Sequence, residues 1–158
     1  MNRTEEKSDF LMDIAQSAVN PVLMGHSFNV HSRTSRGYTD AGGVVYYANY
    51  LKFMERARSE WLRALGFEQD ALRDTHGAVF VVRRVEVDYL SPARFNDALD
   101  VSVSLKRVGG ASLMVEQTVT RGVTPLIAAR VTLACVDAAL FKPVKIPAFI
   151  LQALEPAT

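Results

Sequence analysis

The sequence predicts an α+β domain in which one long helix is followed by an antiparallel sheet. Apolar residues recur every three or four positions over residues 48–65, which is the period of an amphipathic helix. From residue 81 onward, apolar and polar residues alternate in four successive segments, which is the period of strands with one buried face. Short turns separate these segments, so neighbouring strands are expected to be antiparallel. A sheet with one apolar face can bury it by curling around the helix.

The helix over residues 48–65 has the strongest pattern in the chain. Its apolar positions include Tyr50, Phe53, Met54, Ala57, Trp61, Ala64 and Leu65. Gly66 follows at a place where helices often end in a left-handed residue, so the helix is expected to span about 18 residues, or about 27 Å. A shorter helix is expected over residues 68–74, before Gly77.

The strands are expected near residues 28–35 and over 81–89, 99–105, 113–119 and 126–136. In the second of these, Val81, Arg83, Val85, Val87 and Tyr89 are expected to share one face. Because the later strands follow one another through short turns, the sheet is predicted to be a meander. A short helix is expected within an N-terminal extension, residues 1–25, and another near residues 146–154. Residues 26–158 are predicted to form the main domain.

Composition excludes several classes of protein. The 158 residues carry a net charge of +1, which gives no basic field for a nucleic-acid backbone. Cys135 is the only cysteine and lies in an apolar strand, so it is expected in the core of a protein from a reducing compartment, the cytoplasm. No apolar stretch is long enough to span a bilayer. One helix and one sheet make a thin core for this length, which predicts a homo-oligomer.

The segment between the first strand and the long helix is the best candidate site. Gly42 and Gly43 allow the backbone to approach a ligand closely, and the helix starts near Tyr47 without a usual capping side chain. Unpaired amides at a helix start carry partial positive charge, which suits an oxygen that becomes negative during acyl transfer. Asp40 could attack a carbonyl or activate water. The alternative is that Asp40 only shapes a turn.

Other chemical motifs are weak. The three histidines, His26, His31 and His76, lack metal-ligand spacing, and no serine lies in a G-x-S-x-G elbow. The glycine pairs match neither a P-loop nor a dinucleotide fingerprint, so no metal or cofactor is expected. Glu55 falls on the polar side of the long helix, where charges are usually solvated.

The stretch from Thr39 to Arg58 closely resembles the YbgC and 4-hydroxybenzoyl-CoA thioesterase family. The shared residues run Thr-Asp-Ala-Gly-Gly-Val-Val-Tyr-Tyr-Ala-Asn-Tyr and continue as Phe-Met-Glu-Arg-Ala-Arg. The similarity extends through Tyr89-Leu90-Ser91-Pro92-Ala93-Arg94 and covers residues 28 to 145. It implies a hotdog fold, in which the sheet wraps one central helix and protomers pair edge to edge as dimers or tetramers.

The resemblance also implies an acyl-CoA thioesterase. The family's catalytic aspartate falls on Asp40, as nucleophile or general base, and its oxyanion donor falls on the Tyr47 backbone amide. Gly43 and Val44 then become substrate-binding positions. The run from Ala41 to Tyr46 is closer to the YbgC branch than to the hydroxybenzoyl branch, which favours an aliphatic acyl group.

Coenzyme A carries phosphates, and Arg83, Arg84 and Arg94 are candidates to bind them. Two other functions are kept open: a thioesterase acting on acyl carrier protein, and a noncatalytic acyl-binding or scaffold protein linked to the Tol-Pal system. A hotdog hydratase is disfavoured, because no histidine lies between His31 and His76.

Overall fold

A computed structural model of the chain describes residues 28–33, 49–94 and 96–154. Its elements in chain order are β1 (Phe28–Arg33), α1 (Asn49–Ala64), α2 (Gln69–His76), β2 (Ala78–Tyr89), β3 (Ala98–Val108), β4 (Ser112–Arg121), β5 (Thr124–Asp137) and α3 (Ala148–Leu154). The predicted α+β class is confirmed. The helix expected in the N-terminal extension, residues 1–25, lies outside the described residues.

The five strands form one antiparallel sheet in the order β1-β3-β4-β5-β2. The predicted meander holds for β3, β4 and β5, but the pairing of β2 in chain order is wrong, because β2 pairs with β5 at the far edge. The connection over residues 90–97 therefore crosses the end of the sheet, a distance of about 14 Å for three strand spacings. The Leu90 N–H donates to the Leu126 carbonyl at 2.8 Å, which holds the start of this crossover against β5.

The long helix α1 packs its apolar face on one side of the sheet. The side chains of Tyr50, Phe53, Met54, Ala57 and Trp61 are all buried in the main core, as their spacing predicted. Burying a side chain the size of Phe53 or Met54 stabilises the fold by about 1.5–3 kcal/mol. The helix ends at Ala64, and Gly66 follows with a φ of 94°, the left-handed conformation that the sequence predicted.

Strand β2 changes its inward face partway along. Its pairing with β5 shifts between Val82 and Arg84, which marks a bulge. Before the bulge, Val81 packs with Val79 on the outer face, whereas after it Val87 packs against the main core. The prediction that Val81 and Val87 share one face is therefore wrong, because the extra residue reverses the alternation.

The two short helices agree with the sequence pattern. Helix α2 ends at His76 and is followed by Gly77, whose φ is 65° and whose N–H donates to the Arg73 carbonyl at 2.9 Å. Helix α3 buries Ile150 and Leu154 against the main core. Helix α3 thus contributes apolar side chains to the main core.

A tight turn follows β5 and presents two large apolar side chains to solvent. The Asp137 carboxylate accepts hydrogen bonds from the N–H groups of Ala139 and Leu140 at 2.9 and 2.8 Å. Phe141 has a φ of 56°, and its N–H donates to the Asp137 carbonyl at 2.8 Å. Leu140 and Phe141 are 68% and 66% exposed. The turn therefore holds Phe141 in a left-handed conformation without burying its ring.

Candidate active site

The predicted catalytic segment lies between two described elements. β1 ends at Arg33, which pairs with Ala98 of β3, and α1 begins at Asn49. The predicted catalytic residues Asp40 and Tyr47 lie outside the described residues, and so do the predicted substrate-binding positions Gly43 and Val44. The described residues around the start of α1 show how the fold fixes that end of the helix.

Tyr50 attaches the first turn of α1 to the crossover. The Ala93 N–H donates to the Tyr50 hydroxyl at 2.6 Å. The Tyr50 ring is buried and makes edge-to-face contacts with Phe53 and Tyr89, at centroid distances of 6.4 and 6.0 Å. Burial raises the pKa of Tyr50, and the hydrogen bond from Ala93 opposes that shift only in part. The hydroxyl is therefore neutral at physiological pH and acts as a fixed anchor for the helix start.

Asp97 braces the other end of the crossover. Its carboxylate accepts hydrogen bonds from the Arg94 N–H at 2.7 Å and from the Arg121 guanidinium at 2.9 Å. Burial acts to raise the pKa of Asp97, but these hydrogen bonds and the nearby positive charges outweigh it and hold the pKa below its usual value. Asp97 is thus negatively charged and links the crossover to Arg121.

A groove of about 450 Å³ lies between α1 and strand β2. One wall is the side of α1 that carries Leu51, Glu55, Arg58 and Leu62, and the other includes Val82 and Val85. Of the apolar residues, Leu51, Val82 and Val85 are exposed. Helix α1 therefore leaves part of the sheet uncovered beside the edge strand β2.

Arg58 is buried in the wall of this groove. It is 9% exposed, and its Nη1 donates to Gln117 Oε1 at 2.8 Å. Gln117 is completely buried, and its amide donates to the Met54 carbonyl at 3.0 Å. Among the described residues, no carboxylate oxygen lies within 4 Å of the Arg58 guanidinium. Burial lowers the pKa of Arg58, and the charge of Glu55 opposes this shift.

Sequence reasoning assigned no role to Arg58. A signal was present, because Arg58 lies four residues after Met54 and three before Trp61, on the same side of the helix as two core residues. Glu55, which was expected on the solvated side, is exposed but also lines the groove. An acidic and a basic side chain therefore occupy one wall.

The three arginines predicted to bind coenzyme A do not form one cluster. Arg83 and Arg84 are exposed at the bulge in β2, and Arg84 Nε lies 3.1 Å from Glu86 Oε1. Arg94 lies on the crossover beyond the end of β2. The strand between Arg84 and Tyr89 is about 17 Å long, so Arg94 lies at a different part of the surface.

The remaining predictions concern metals, membranes and the cysteine. Within the part of the chain that the structure describes, no group of three or more His, Cys, Asp or Glu side chains could hold a metal ion. None of the helices in those same residues has the length and hydrophobicity of a transmembrane segment. Cys135 is fully buried as a free thiol, which confirms its predicted place in the core, and burial raises its pKa.

Comparison with known proteins agrees with this architecture. The family model described as "Thioesterase superfamily" matches residues 42–128. The chain is 41% identical to the acyl-CoA thioesterase YbgC of Haemophilus influenzae, over 79% of this chain and 92% of that protein. It is 43% identical to the acyl-CoA thioester hydrolase YbgC of Escherichia coli, over 69% of this chain and 81% of that protein.

A solved structure gives the same result. The probable thioesterase from Bartonella henselae superposes with a TM-score of 0.73 at 35% identity, covering 77% of this chain and 99% of that one. The expected hotdog fold is confirmed. The matched residues include α1, α2 and the strands β2, β3 and β4. The chain is therefore a thioester-hydrolysing enzyme of the thioesterase superfamily and belongs with its YbgC-like members.

Proposed function

We propose that this protein hydrolyses acyl-CoA thioesters to a free acid and coenzyme A. The observation that carries the proposal is the 41% identity to the Haemophilus influenzae acyl-CoA thioesterase, which spans 92% of that relative. An aliphatic acyl group is proposed, because residues 41–46 resemble the YbgC branch more closely than the hydroxybenzoyl branch. The proposal includes no separate cofactor, since coenzyme A is part of the substrate.

Asp40 is proposed as the catalytic carboxylate, by either of two routes. As a general base, it takes a proton from water, the oxygen adds to the thioester carbon, and the C–S bond breaks to release the thiolate of coenzyme A. As a nucleophile, its oxygen adds to the same carbon, and water hydrolyses the resulting anhydride after the thiolate leaves. In both routes the Tyr47 N–H donates to the carbonyl oxygen as negative charge develops there.

The described contacts at the start of α1 support this assignment. A helix N-terminus stabilises negative charge only if its amides stay in place during the reaction. The hydrogen bond between Tyr50 and Ala93 ties the first turn to the crossover, and Asp97 in turn ties the crossover to Arg121. The helix start is therefore fixed to the sheet through the crossover.

Outer contacts to coenzyme A are proposed for Arg83, Arg84 and Arg94, with Gly43 and Val44 nearer the thioester. Arg83 is the best placed of the three arginines, because it is exposed and has no ion-pair partner among the described residues. Arg84 must break its ion pair with Glu86 before it can bind a phosphate. Replacing Arg83 should therefore raise KM for acyl-CoA more than replacing Arg84.

Assembly as a dimer or tetramer through sheet edges is also part of the proposal. Strand β2 is at one edge of the sheet and has no pairing partner on its outer side among the described residues. Exposed apolar side chains flank it at Val82 and Val85. The free buried thiol of Cys135 fits a reducing compartment, and we place the protein in the cytoplasm.

Thiol release from acetyl-, butyryl-, palmitoyl- and benzoyl-CoA tests the function. The native protein should cleave the aliphatic substrates, and Asp40→Asn should lower kcat/KM by about 100-fold or more. Asp74→Asn is the matched control, because Asp74 is an exposed aspartate of α2. Turnover only on acyl carrier protein would replace the proposed substrate. Binding without turnover, or full activity in Asp40→Asn, would contradict the catalytic assignment.

A further inference from the structure

The turn that follows β5 keeps an aromatic residue where the backbone favours glycine. Phe141 has a φ of 56° and is 66% exposed, so little packing compensates the strain of its left-handed conformation. Strain of this kind is commonly kept where a side chain serves a function. A glycine or an asparagine would form the same turn at lower cost. The exposed ring of Phe141 therefore has a role other than packing within the chain.

Leu140 enlarges the apolar surface at the tip of this turn. It directly precedes Phe141 and is 68% exposed. Two large apolar side chains at this exposure offer roughly 300 Å² of surface. A standard protein interface needs about 800 Å² from each partner and a matching shape. A lipid bilayer needs neither, because it is fluid and accepts a small convex apolar tip.

The N–H groups of the turn are paired within the protein. Of the five from Asp137 to Phe141, three donate to oxygen atoms of Asp137. The Ala138 N–H donates to the Gly77 carbonyl at 2.8 Å, and the Asp137 N–H donates to the Lys142 carbonyl at 2.8 Å. The tip can therefore leave water without exposing an unpaired N–H, which removes much of the cost of moving peptide groups into an apolar medium.

Two cationic side chains lie beside the apolar tip. Lys142 directly follows Phe141, Lys145 lies three residues later, and both are exposed. Neither lysine lies within 4 Å of a carboxylate oxygen among the described residues. Asp137 is the one acidic residue between positions 137 and 145, and its carboxylate binds two N–H groups of the turn. An apolar tip flanked by lysines is complementary to the surface of an anionic bilayer.

We propose that the turn after β5 is a docking site for an anionic lipid bilayer. Leu140 and Phe141 insert their side chains at the boundary between headgroups and acyl chains, and Lys142 and Lys145 bind the anionic headgroups. The attachment is weak and reversible, because one turn inserts only two apolar side chains. This site is separate from the proposed catalytic residues and adds a membrane surface to the partners of the enzyme.

Cosedimentation with lipid vesicles tests the proposal. The native protein should bind vesicles of phosphatidylcholine with about one-third phosphatidylglycerol at least about tenfold more tightly than vesicles of phosphatidylcholine alone. Phe141→Asn should weaken binding to the anionic vesicles at least about fivefold, because asparagine accepts the left-handed conformation but lacks the ring. The double variant Lys142→Glu with Lys145→Glu should weaken it at least about tenfold. Circular dichroism checks that all variants are folded.

Two variants elsewhere on the surface are the matched controls. Val123 is 59% exposed and lies just before β5, at the opposite end of that strand from the turn. Val123→Ser should therefore leave vesicle binding unchanged. Lys52→Glu, an exposed change on α1, controls for the lost positive charge and should weaken binding far less than the double lysine variant.

Fluorescence locates the inserted residue directly. The native Trp61 is 2% exposed in the core, so its emission should stay constant when vesicles are added. The indole introduced by Phe141→Trp should shift its emission to shorter wavelength on anionic vesicles, because it leaves water. The indole introduced by Val123→Trp should show no such shift.

Each outcome has a separate meaning. Equal losses of vesicle binding in Phe141→Asn and Val123→Ser, or an unshifted indole in Phe141→Trp, would overturn the assignment to this turn. A native protein that binds neither kind of vesicle would overturn membrane docking and favour a soluble acidic protein as the partner of the turn. Vesicle binding requires no turnover, so failure of the catalytic assignment would be recognised separately.

Discussion

Gln117 connects the buried guanidinium of Arg58 to the backbone of the same helix. Its carboxamide oxygen accepts from Arg58 Nη1 at 2.8 Å, while its nitrogen donates to the Met54 carbonyl at 3.0 Å. The amide orientation is therefore fixed, because the opposite orientation would place two donors against each other at Arg58. Strand β4 thus holds the position of a charged side chain on α1.

Replacing Gln117 with Leu should destabilise the protein. The change leaves the Arg58 donor and the Met54 carbonyl without their partner in a buried place, which should lower the free energy of unfolding by about 2–4 kcal/mol. Urea denaturation measures this loss. The double variant Gln117→Leu with Arg58→Met should lose less than the sum of the single variants. Additive losses would show that the two side chains act independently.

Removing the Tyr50 hydroxyl should loosen the crossover. In Tyr50→Phe the Ala93 N–H loses its acceptor at a buried position, which should cost about 1–3 kcal/mol. Hydrogen exchange measured by NMR should be faster at the Ala93 amide. The Leu90 amide is the internal control, because it donates to the Leu126 carbonyl and should keep its protection. Unchanged exchange at Ala93 would contradict the anchoring role.

The lowered pKa of Asp97 predicts a loss of stability in acid. A carboxylate with a folded-state pKa below its unfolded value stabilises the protein above the unfolded pKa of about 3.9, and this contribution is lost as pH falls through the folded pKa. Asp97→Asn should therefore cost about 1 kcal/mol at pH 7, and the cost should shrink as the pH falls through the folded-state pKa of Asp97. Chemical denaturation at several pH values measures the difference. Asp88→Asn, an exposed change on β2, controls for the loss of one negative charge.

The turn after β5 allows a stabilising substitution. Phe141→Gly should raise the free energy of unfolding by about 0.5–1 kcal/mol, because glycine adopts the φ of 56° without steric cost and the ring buries little surface. Leu140→Gly is the matched change at an equally exposed neighbour without a positive φ. It should lower stability by a similar amount. If both variants lose stability equally, the conformation of Phe141 carries no strain.

Local patterns predicted the elements well but not how the strands are arranged. The helix expected over residues 48–65 is observed over 49–64, since its apolar period and Gly66 act within a few residues. The pairing of β2 with β5 depends on where the crossover leads, and alternation within a strand contains no information about that path. The bulge near Arg83 was missed for a related reason, because an inserted residue leaves the composition of the strand unchanged.

The candidate site, like the fold, was predicted only in part from the sequence. Asp40 and Tyr47 were assigned through family resemblance, lie outside the described residues, and stay predictions. The helical spacing places Arg58 on the same side of α1 as core residues, so its burial could have been predicted. A charged residue is, however, normally expected in solvent. Its burial depends on Gln117, which is 59 residues away in the chain and meets α1 only in the folded protein.

The outer edge of β2 has a consequence for the separated protomer. The free N–H and C=O groups of an edge strand can pair with another extended chain. The exposed side chains of Val82 and Val85 add apolar surface that favours such association. Arg83, Arg84 and Glu86 place charges along the same edge, which opposes indiscriminate addition of strands. Keeping the protomers together would therefore protect the protein from aggregation as well as complete its surface, and dilution below the dimer Kd would shorten its useful lifetime in solution.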